Sequence, residues 1–252
     1  MRLVEIWRHP VKSLQGEQVS EAFVESDGLR GDRCWGIQDH KTGRILTGRR
    51  EPQLLLGRAA LADDGEPEIT LPDGRVCHGM GADTDAALSD WLNKDVGLVR
   101  AAGAPGAPAE YFADATDDAS TAIEWTMPAG RFVDALPLLV LTTATLRTAV
   151  ALYPDGEWDV RRFRPNLFVD VDQDGWVEDA WCHHTVRVGD AQLVPRQPCE
   201  RCTMVTRPQP GLERDLDIFR TISRQHRGTL GVWTQVLAVG EVHVGDRVEV
   251  VS

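Results

Sequence analysis

The chain has 252 residues, 42% of them hydrophobic and 26% charged, with a formal net charge of −12. That length can bury a sizeable core; the acidity argues against a nucleic-acid partner, whose phosphates need a basic face; and no apolar run approaches the ~20 residues that span a bilayer. Five cysteines, at 34, 77, 182, 199 and 202, are too few and too scattered for a disulfide scaffold, so reduced thiols are expected.

The opening "MRLVEIWRHPVKS" alternates apolar and polar and reads as a first strand. It lacks the apolar core of a signal peptide and the Arg/Ser-rich character of an organelle presequence, so a cytoplasmic location is expected. The first hundred residues read mostly as strands. "DRCWGIQDHKTGRILTGR" is two half-alternating runs around a polar turn at His40 to Gly43, and "EITLPDGRVCH" is a hairpin around Pro72-Asp73-Gly74. "DTDAALSDWLNKDVG" shifts to helical period: Leu88, Trp91 and Leu92 share a face, Asp83 or Thr84 is the candidate cap, and Gly97 lies beyond the end. "AAGAPGAPAEYFADATDDAS" has no sustained period and reads as a linker or mobile loop.

The second half opens on "ALPLLVLTTATLRTAVALYP", a buried run followed by a helix that Thr142, Thr143 or Thr145 would cap and that ends before Pro154. Between Gly211 and Gly228 a further helix is expected, with Leu212, Leu216 and Phe219 at helical spacing and bases late, as the helix dipole favours. "VRVGDAQLV" and "VHVGDRVEVV" each read as a hairpin around a Gly-Asp turn.

Chemistry concentrates in "RQPCERCTMVTRPQPG". A structural zinc site needs four ligands, and only one Cys-x-x-Cys pair exists; Cys182, His183 and His184 are the residues that would complete it. A thioredoxin-like pair opens a helix, whereas Thr203-Met204-Val205-Thr206 favours extended backbone. Two incidental loop cysteines are the plain alternative. Arg196, Arg201 and Arg207 bracket the pair, and neighbouring guanidinium charge favours a thiolate. In "RRFRPNLFVD", Arg164 precedes proline and is expected to be extended, and Arg164 with Asn166 at a strand entrance suits an anion or a polar ring edge, though the segment is also an ordinary turn lead-in. Lys12 and Ser13 in "HPVKSLQG" and Arg33 in "GLRGDRCWGI" make a plausible phosphate grip. No phosphate-loop or dinucleotide glycine spacing is present.

Taken in order, "HPVKS", "GLRGDRCWGI", "TGRREPQLLL", "FVDALPLLVLTTATL", "RFRPNLFV", the "PCERC" loop and "VHVGDRVEV" resemble the two-part MOSC proteins, similar to the mitochondrial amidoxime-reducing component and its bacterial relatives. The resemblance implies a mainly β, α+β architecture: an N-terminal β-barrel-like domain over 1–115 and a MOSC β-barrel with flanking helices over 116–252, with a cofactor in the cleft between them. The cofactor implied is the molybdenum cofactor, Mo-molybdopterin, with Cys202 as the protein ligand to the metal and the catalytic residue. Lys12, Ser13 and Arg33 map onto its phosphate and pterin side, Arg164 and Asn166 onto the "RPN" motif, and Asp134, Glu200 and Arg201 onto cofactor-contacting positions. Trp233 stands where relatives tend to carry tyrosine near the metal.

The activity implied is two-electron reduction of N-hydroxylated compounds, with the cofactor carrying the redox chemistry. Some bacterial relatives append a ferredoxin-like domain; this chain ends at Ser252, so a separate iron–sulfur, haem or flavin protein is the expected electron donor. MOSC domains also end cofactor sulfurases. A sulfur carrier using a Cys202 persulfide therefore stands as the alternative, and a zinc-stapled binding module as a third.

Overall fold

The structure, a computed structural model, describes residues 1–112, 114, 117 and 119–251. In chain order the first half contributes β1 (Arg2–Arg8), β2 (Glu17–Val19), β3 (Glu21–Glu25), β4 (Gly28–Leu29), β5 (Trp35–Asp39), β6 (Arg58–Leu61), β7 (Pro67–Thr70) and β8 (Val76–His78). Helix α1 (Ala82–Leu92) and strands β9 (Val96–Arg100), β10 (Pro108–Phe112) and β11 (Ala122–Thr126) complete it. The second half follows as β12 (Leu138–Thr142), α2 (Thr143–Leu152), β13 (Leu167–Asp170), β14 (Thr185–Val188) and β15 (Ala191–Glu200). It closes with α3 (Leu216–His226), β16 (Thr229–Ala238), β17 (Gly240–His243) and β18 (Val248–Val251). The protein is mainly β with a few helices, as the sequence implied.

Eight strands form one sheet in the order β18-β14-β15-β16-β12-β13-β1-β2. Strands β12 and β13 run parallel. A parallel pair needs a crossover, and α2 supplies it. All five residues of β12 are buried, because Val140 faces the cluster of Leu3, Ile6, Leu167 and Val232 while Leu141 faces Phe168, Phe219 and Ile222 beneath α3. A separate cluster around Trp35, Leu54 and Leu88 stabilises the first half.

The expected barrels are not closed by a continuous ladder, only a single antiparallel bridge of Arg2 with Arg247 being formed between β1 and the approach to β18 among the described residues. The first residues of β1 instead meet the turn before β18: Leu3 N donates to Asp246 O at 2.9 Å, Gly245 N to Leu3 O at 2.7 Å and Val248 N to Met1 O at 3.0 Å. Gly245 sits at φ +100°, which turns the chain too sharply for a ladder to continue. Other expectations need correction. Residues 108–112, read as linker, form β10 and pair with β11, whereas 113, 115, 116 and 118 of that stretch lie outside the described residues. "VHVGDRVEVV" is no hairpin, since β17 pairs with β3 and β18 with β14.

Helix α1 starts from Gly81, which has no side chain to cap it, so neither Asp83 nor Thr84 is the cap and both lie within the helix; Gly97 lies within β9. Thr142 does cap α2, accepting from Thr145 N. Helix α3 begins only after Asp215, which caps it; Ile218, Phe219 and Ile222 are buried, whereas Leu212 precedes the helix and Leu216 is exposed.

At the C-terminal end of α3, His226 places Nε2 2.7 Å from Asp179 Oδ2 and Nδ1 2.8 Å from Thr229 O, with Trp176 stacked on the ring at 4.3 Å. Both partners are acceptors, which favours the doubly protonated ring. Burial opposes that charge, but the Asp179 and Thr229 bonds outweigh it and raise the pKa. A raised folded-state pKa stabilises fully below the unfolded value of about 6.5 and is lost as pH rises through the folded value. The gap in Tm between wild type and His226→Gln is expected to be widest near about pH 6 and to shrink toward about pH 9; a gap that stays constant would mean that the ring contributes by packing alone.

Candidate functional site

One cleft opens where the entrances of β12 and β13 meet the end of β15 and the middle of β16. Lys12, Ser13, Arg33, Asp134, Arg164, Asn166, Glu200, Arg201, Cys202 and Trp233, all singled out from sequence, line it together, and Arg49 joins them. The loops carrying the first three are tied to each other: Lys12 N donates to Trp35 O at 2.8 Å and Arg33 N to His9 O at 2.7 Å. Asn166 is fixed at the entrance of β13, its Oδ1 accepting from Leu139 N at 3.1 Å and from Arg33 Nη1 at 3.4 Å.

The backbone is strained where these side chains converge. Ser13 (φ +72°), Arg33 (φ +51°) and Arg164 (φ +55°) are three of only six non-glycine residues with positive φ among the described residues. Each such conformation costs roughly 1–3 kcal/mol and persists only where surrounding contacts over-determine it. They do so here. Ser13 Oγ accepts from Gly48 N at 2.9 Å, Arg33 pairs with the fully buried Asp32 and donates from Nη2 to Arg164 O at 3.3 Å, and Arg164 Nη1 donates to Leu14 O at 2.7 Å. Arg164 is therefore not extended, as its place before proline suggested: its N–H closes a turn onto Val160 O at 3.2 Å and its side chain is held from the other half of the chain.

The cysteine loop is clamped by guanidinium groups. Residues Thr203–Thr206 form a 3-10 turn rather than extended chain, with Thr206 Oγ1 donating to Thr203 O at 2.7 Å. Arg162, whose side chain is wholly buried, donates to the carbonyls of Glu157 (2.9 Å), Val205 (3.4 Å), Arg207 (3.2 Å) and Glu213 (2.8 Å). Arg201 Nη2 reaches Leu230 O at 2.6 Å and Nη1 Phe163 O at 3.0 Å. Gly231 beside it has φ +74°, and a Cβ there would lie 2.8 Å from Val140 O, so the β16 backbone that Arg201 grips requires glycine.

The two cysteines differ. Cys199 is buried at the end of β15, and burial pushes its thiol up to about 11, so it stays protonated. Cys202 is half-buried and open to the cleft. The bracketing arginines expected to act on it mostly do not line the cleft: Arg196 bonds Gln235 on the surface at 2.8 Å, and Arg207 lies outside the lining, leaving Arg201. Another guanidinium in the same cleft as Cys202 belongs to Arg49, which the sequence reading did not single out. Burial disfavours Arg49's charge, but Asp134 first and then Cys202 outweigh it, raising its pKa well above the ordinary value.

Five cationic and two acidic side chains line this cleft of a chain whose net charge is −12. Asp134 is fully engaged: Oδ1 accepts from Lys12 Nζ at 2.6 Å and Tyr111 Oη at 2.7 Å, Oδ2 from Arg49 Nη2 at 2.7 Å. Despite burial, Arg49 and Lys12 hold its carboxyl well below the carboxylate range. Lys12, fixed also by Phe132 O at 2.9 Å, has its pKa lowered by burial even with Asp134 beside it. Arg164 is different. It is 7% exposed, no carboxylate among the described residues lies within ion-pair distance, and burial followed by repulsion from Arg33 pushes it down to about 9. Behind it, His9 is buried with neither ring nitrogen hydrogen-bonded, and burial, Arg164 and Arg33 keep the ring neutral.

A buried guanidinium without a counter-ion fits an anionic phosphate, and a half-buried thiol in the same cleft fits a soft metal ligand. The residues present therefore fit a phosphate-bearing metal cofactor. The zinc arrangement finds no support: no cluster of three or more metal-ligating side chains occurs among the described residues, and Cys182 packs on the core while His183 and His184 face solvent.

Compared with known families, residues 1–113 match the MOSC N-terminal beta barrel domain and residues 129–249 the MOSC domain. Over 98% of its length the chain is 25% identical to mitochondrial amidoxime-reducing component 1 of Mus musculus, spanning 81% of that protein. The same component of Homo sapiens is 26% identical over 81% of this chain and 65% of its own length. Molybdenum cofactor sulfurase of Drosophila willistoni is 24% identical over 91% of this chain, which spans only 30% of that protein. No helix among the described residues is long and apolar enough to cross a membrane.

Removing the Arg162 clamp would leave buried carbonyls without donors, at about 1–3 kcal/mol each. Arg162→Leu is expected to lower the urea midpoint at unchanged m-value by an amount worth about 3 kcal/mol or more; a midpoint within error of wild type would mean that the loop is held by other contacts.

Proposed function

Proceeding from the chain's membership of the MOSC-domain proteins with an N-terminal MOSC β-barrel domain, we propose that it binds the molybdenum cofactor and reduces N-hydroxylated compounds such as amidoximes and hydroxylamines. The observation that carries this reading is the meeting of Cys202 with Arg164, Arg33 and Asn166 in one basic cleft of an acidic protein. Cys202 would be the ligand through sulfur. Lys12, Ser13, Arg33, Arg164 and Asn166 would hold the phosphate and pterin, Asp134 would fix Lys12, Glu200 and Arg201 would frame the loop, and Trp233 would stand at the mouth. When bound, the cofactor supplies two-electron exchange at the metal.

The chain's own residues bind, orient and enclose. Cys199, kept neutral, shapes the loop without competing as a ligand. Removal of one oxygen as water consumes two electrons and two protons; the electrons would come from a separate donor protein carrying iron–sulfur, haem or flavin.

The similarity to a molybdenum cofactor sulfurase favours one second reading, a carrier in which Cys202 holds sulfur as a persulfide without small-molecule turnover. Metal and sulfane-sulfur analysis of protein from a cofactor-competent host separates the two. Near-stoichiometric molybdenum is expected; sulfane sulfur without molybdenum would favour the carrier. Cys202→Ser is expected to abolish amidoxime reduction in a folded protein and Cys199→Ser to be milder; full activity of the Cys202 variant would end the reductase reading. Arg164→Ala, losing a charge-assisted contact of about 1.5–3 kcal/mol, should weaken cofactor retention roughly ten- to hundredfold, read as molybdenum content after gel filtration.

A further inference from the structure

The five cations of the cleft fall into different electrostatic situations. Arg33 has Asp32, Arg201 is spent on the carbonyls of Leu230 and Phe163, and Arg164 has no carboxylate within ion-pair distance among the described residues, with Asp32 and Asp134 acting on it only from farther off. Lys12 and Arg49 share Asp134. Lys12 commits two of its three N–H donors, to that carboxylate and to Phe132 O, whereas Arg49 commits only one of its five in a hydrogen bond. Its Nη2 donates to Asp134 at 2.7 Å and its guanidinium lies over the Tyr111 ring at 4.1 Å. Tyr111 is its other polar neighbour; no hydrogen bond of ordinary geometry takes Nη1 or Nε among the described residues, and neither is sealed away from the cleft as an unsatisfied buried atom. These are donors held in place in the cleft that Cys202 also lines.

We propose that Arg49 is a substrate-binding residue, donating Nη1–H and Nε–H to the oxygen of the substrate's N–O group on the Cys202 side of the cleft. This role rests on the reductase reading. A cofactor phosphate is better served by Arg164, which has no ion-pair partner among the described residues, than by Arg49, whose charge is shared with Asp134 at 2.7 Å. What Arg49 retains is directional hydrogen bonding, which suits a neutral oxygen acceptor. The carboxylate on one side and the aromatic face on the other hold the fork in place before a ligand arrives, so little ordering is lost on binding.

Binding of benzamidoxime to the full-length, cofactor-loaded protein, measured calorimetrically with no electron donor present, tests this without turnover. Loss of a charge-assisted contact predicts that Arg49→Gln raises Kd about tenfold or more at unchanged molybdenum content, and that Arg49→Lys, keeping charge without the fork, recovers part of the loss. With an electron donor, the Gln variant should show the same loss in KM. An unchanged Kd in Arg49→Gln and Arg49→Lys overturns the proposal, as does loss of molybdenum in step with loss of binding, which would make Arg49 a cofactor grip. Wild-type protein that binds benzamidoxime through Arg49 but never reduces it with reduced methyl viologen would sustain Arg49's role and sink the reductase reading.

Discussion

Buried guanidinium groups bonded to backbone carbonyls hold this protein's cleft together. A loop that leaves a sheet carries carbonyls that no ladder satisfies, and burying them bare is costly. Arg162 answers four of them, Arg201 two, and Arg164 one from the opposite half of the chain. Arg131 does the same for Leu29 and Asp32 while meeting Glu25 and Asp27 with its other arm. Five donors on one rigid fork suit this work better than an ammonium. Strands supply the frame, and arginines fix the loops that the frame releases.

The same residue type serves a second purpose within a few ångströms, and carboxylates separate the two. Asp134 neutralises part of one wall and orients Lys12, Arg49 and Tyr111 at once. Arg164 is left buried with no acid within ion-pair distance among the described residues. A structure selected for stability alone would pair or delete such a group; the proposed anionic cofactor would supply its missing partner. The neutral His9 behind it adds no further positive charge.

Much of this was legible in the chain. Alternation marked β1 and the β14–β15 hairpin, a hydroxyl after an apolar run marked the cap of α2, and all ten residues chosen as site candidates line one cleft. What failed did so for identifiable reasons. Local pattern cannot tell a hairpin from two strands that part company, and "VHVGDRVEVV" is the second kind. Local preference put Arg164 and Thr203–Thr206 in extended backbone, and long-range clamps overrode it. Arg49 was missed because its significance lies in Asp134, Tyr111 and Cys202, none within 60 residues of it in sequence, and no spacing rule reaches that far.

The pairing of first strand with late ones has a consequence for biosynthesis. β1 lies beside β13, and β3 beside β17, whose residues emerge from the ribosome long after. Until about residue 170 is made, one edge of the opening segment has no mate, and Glu21–Glu25 waits for Gly240–His243. Such distant closures make assembly slow and leave exposed edges in the meantime. The opening strands therefore stay incompletely paired until Gly240–His243 is synthesised.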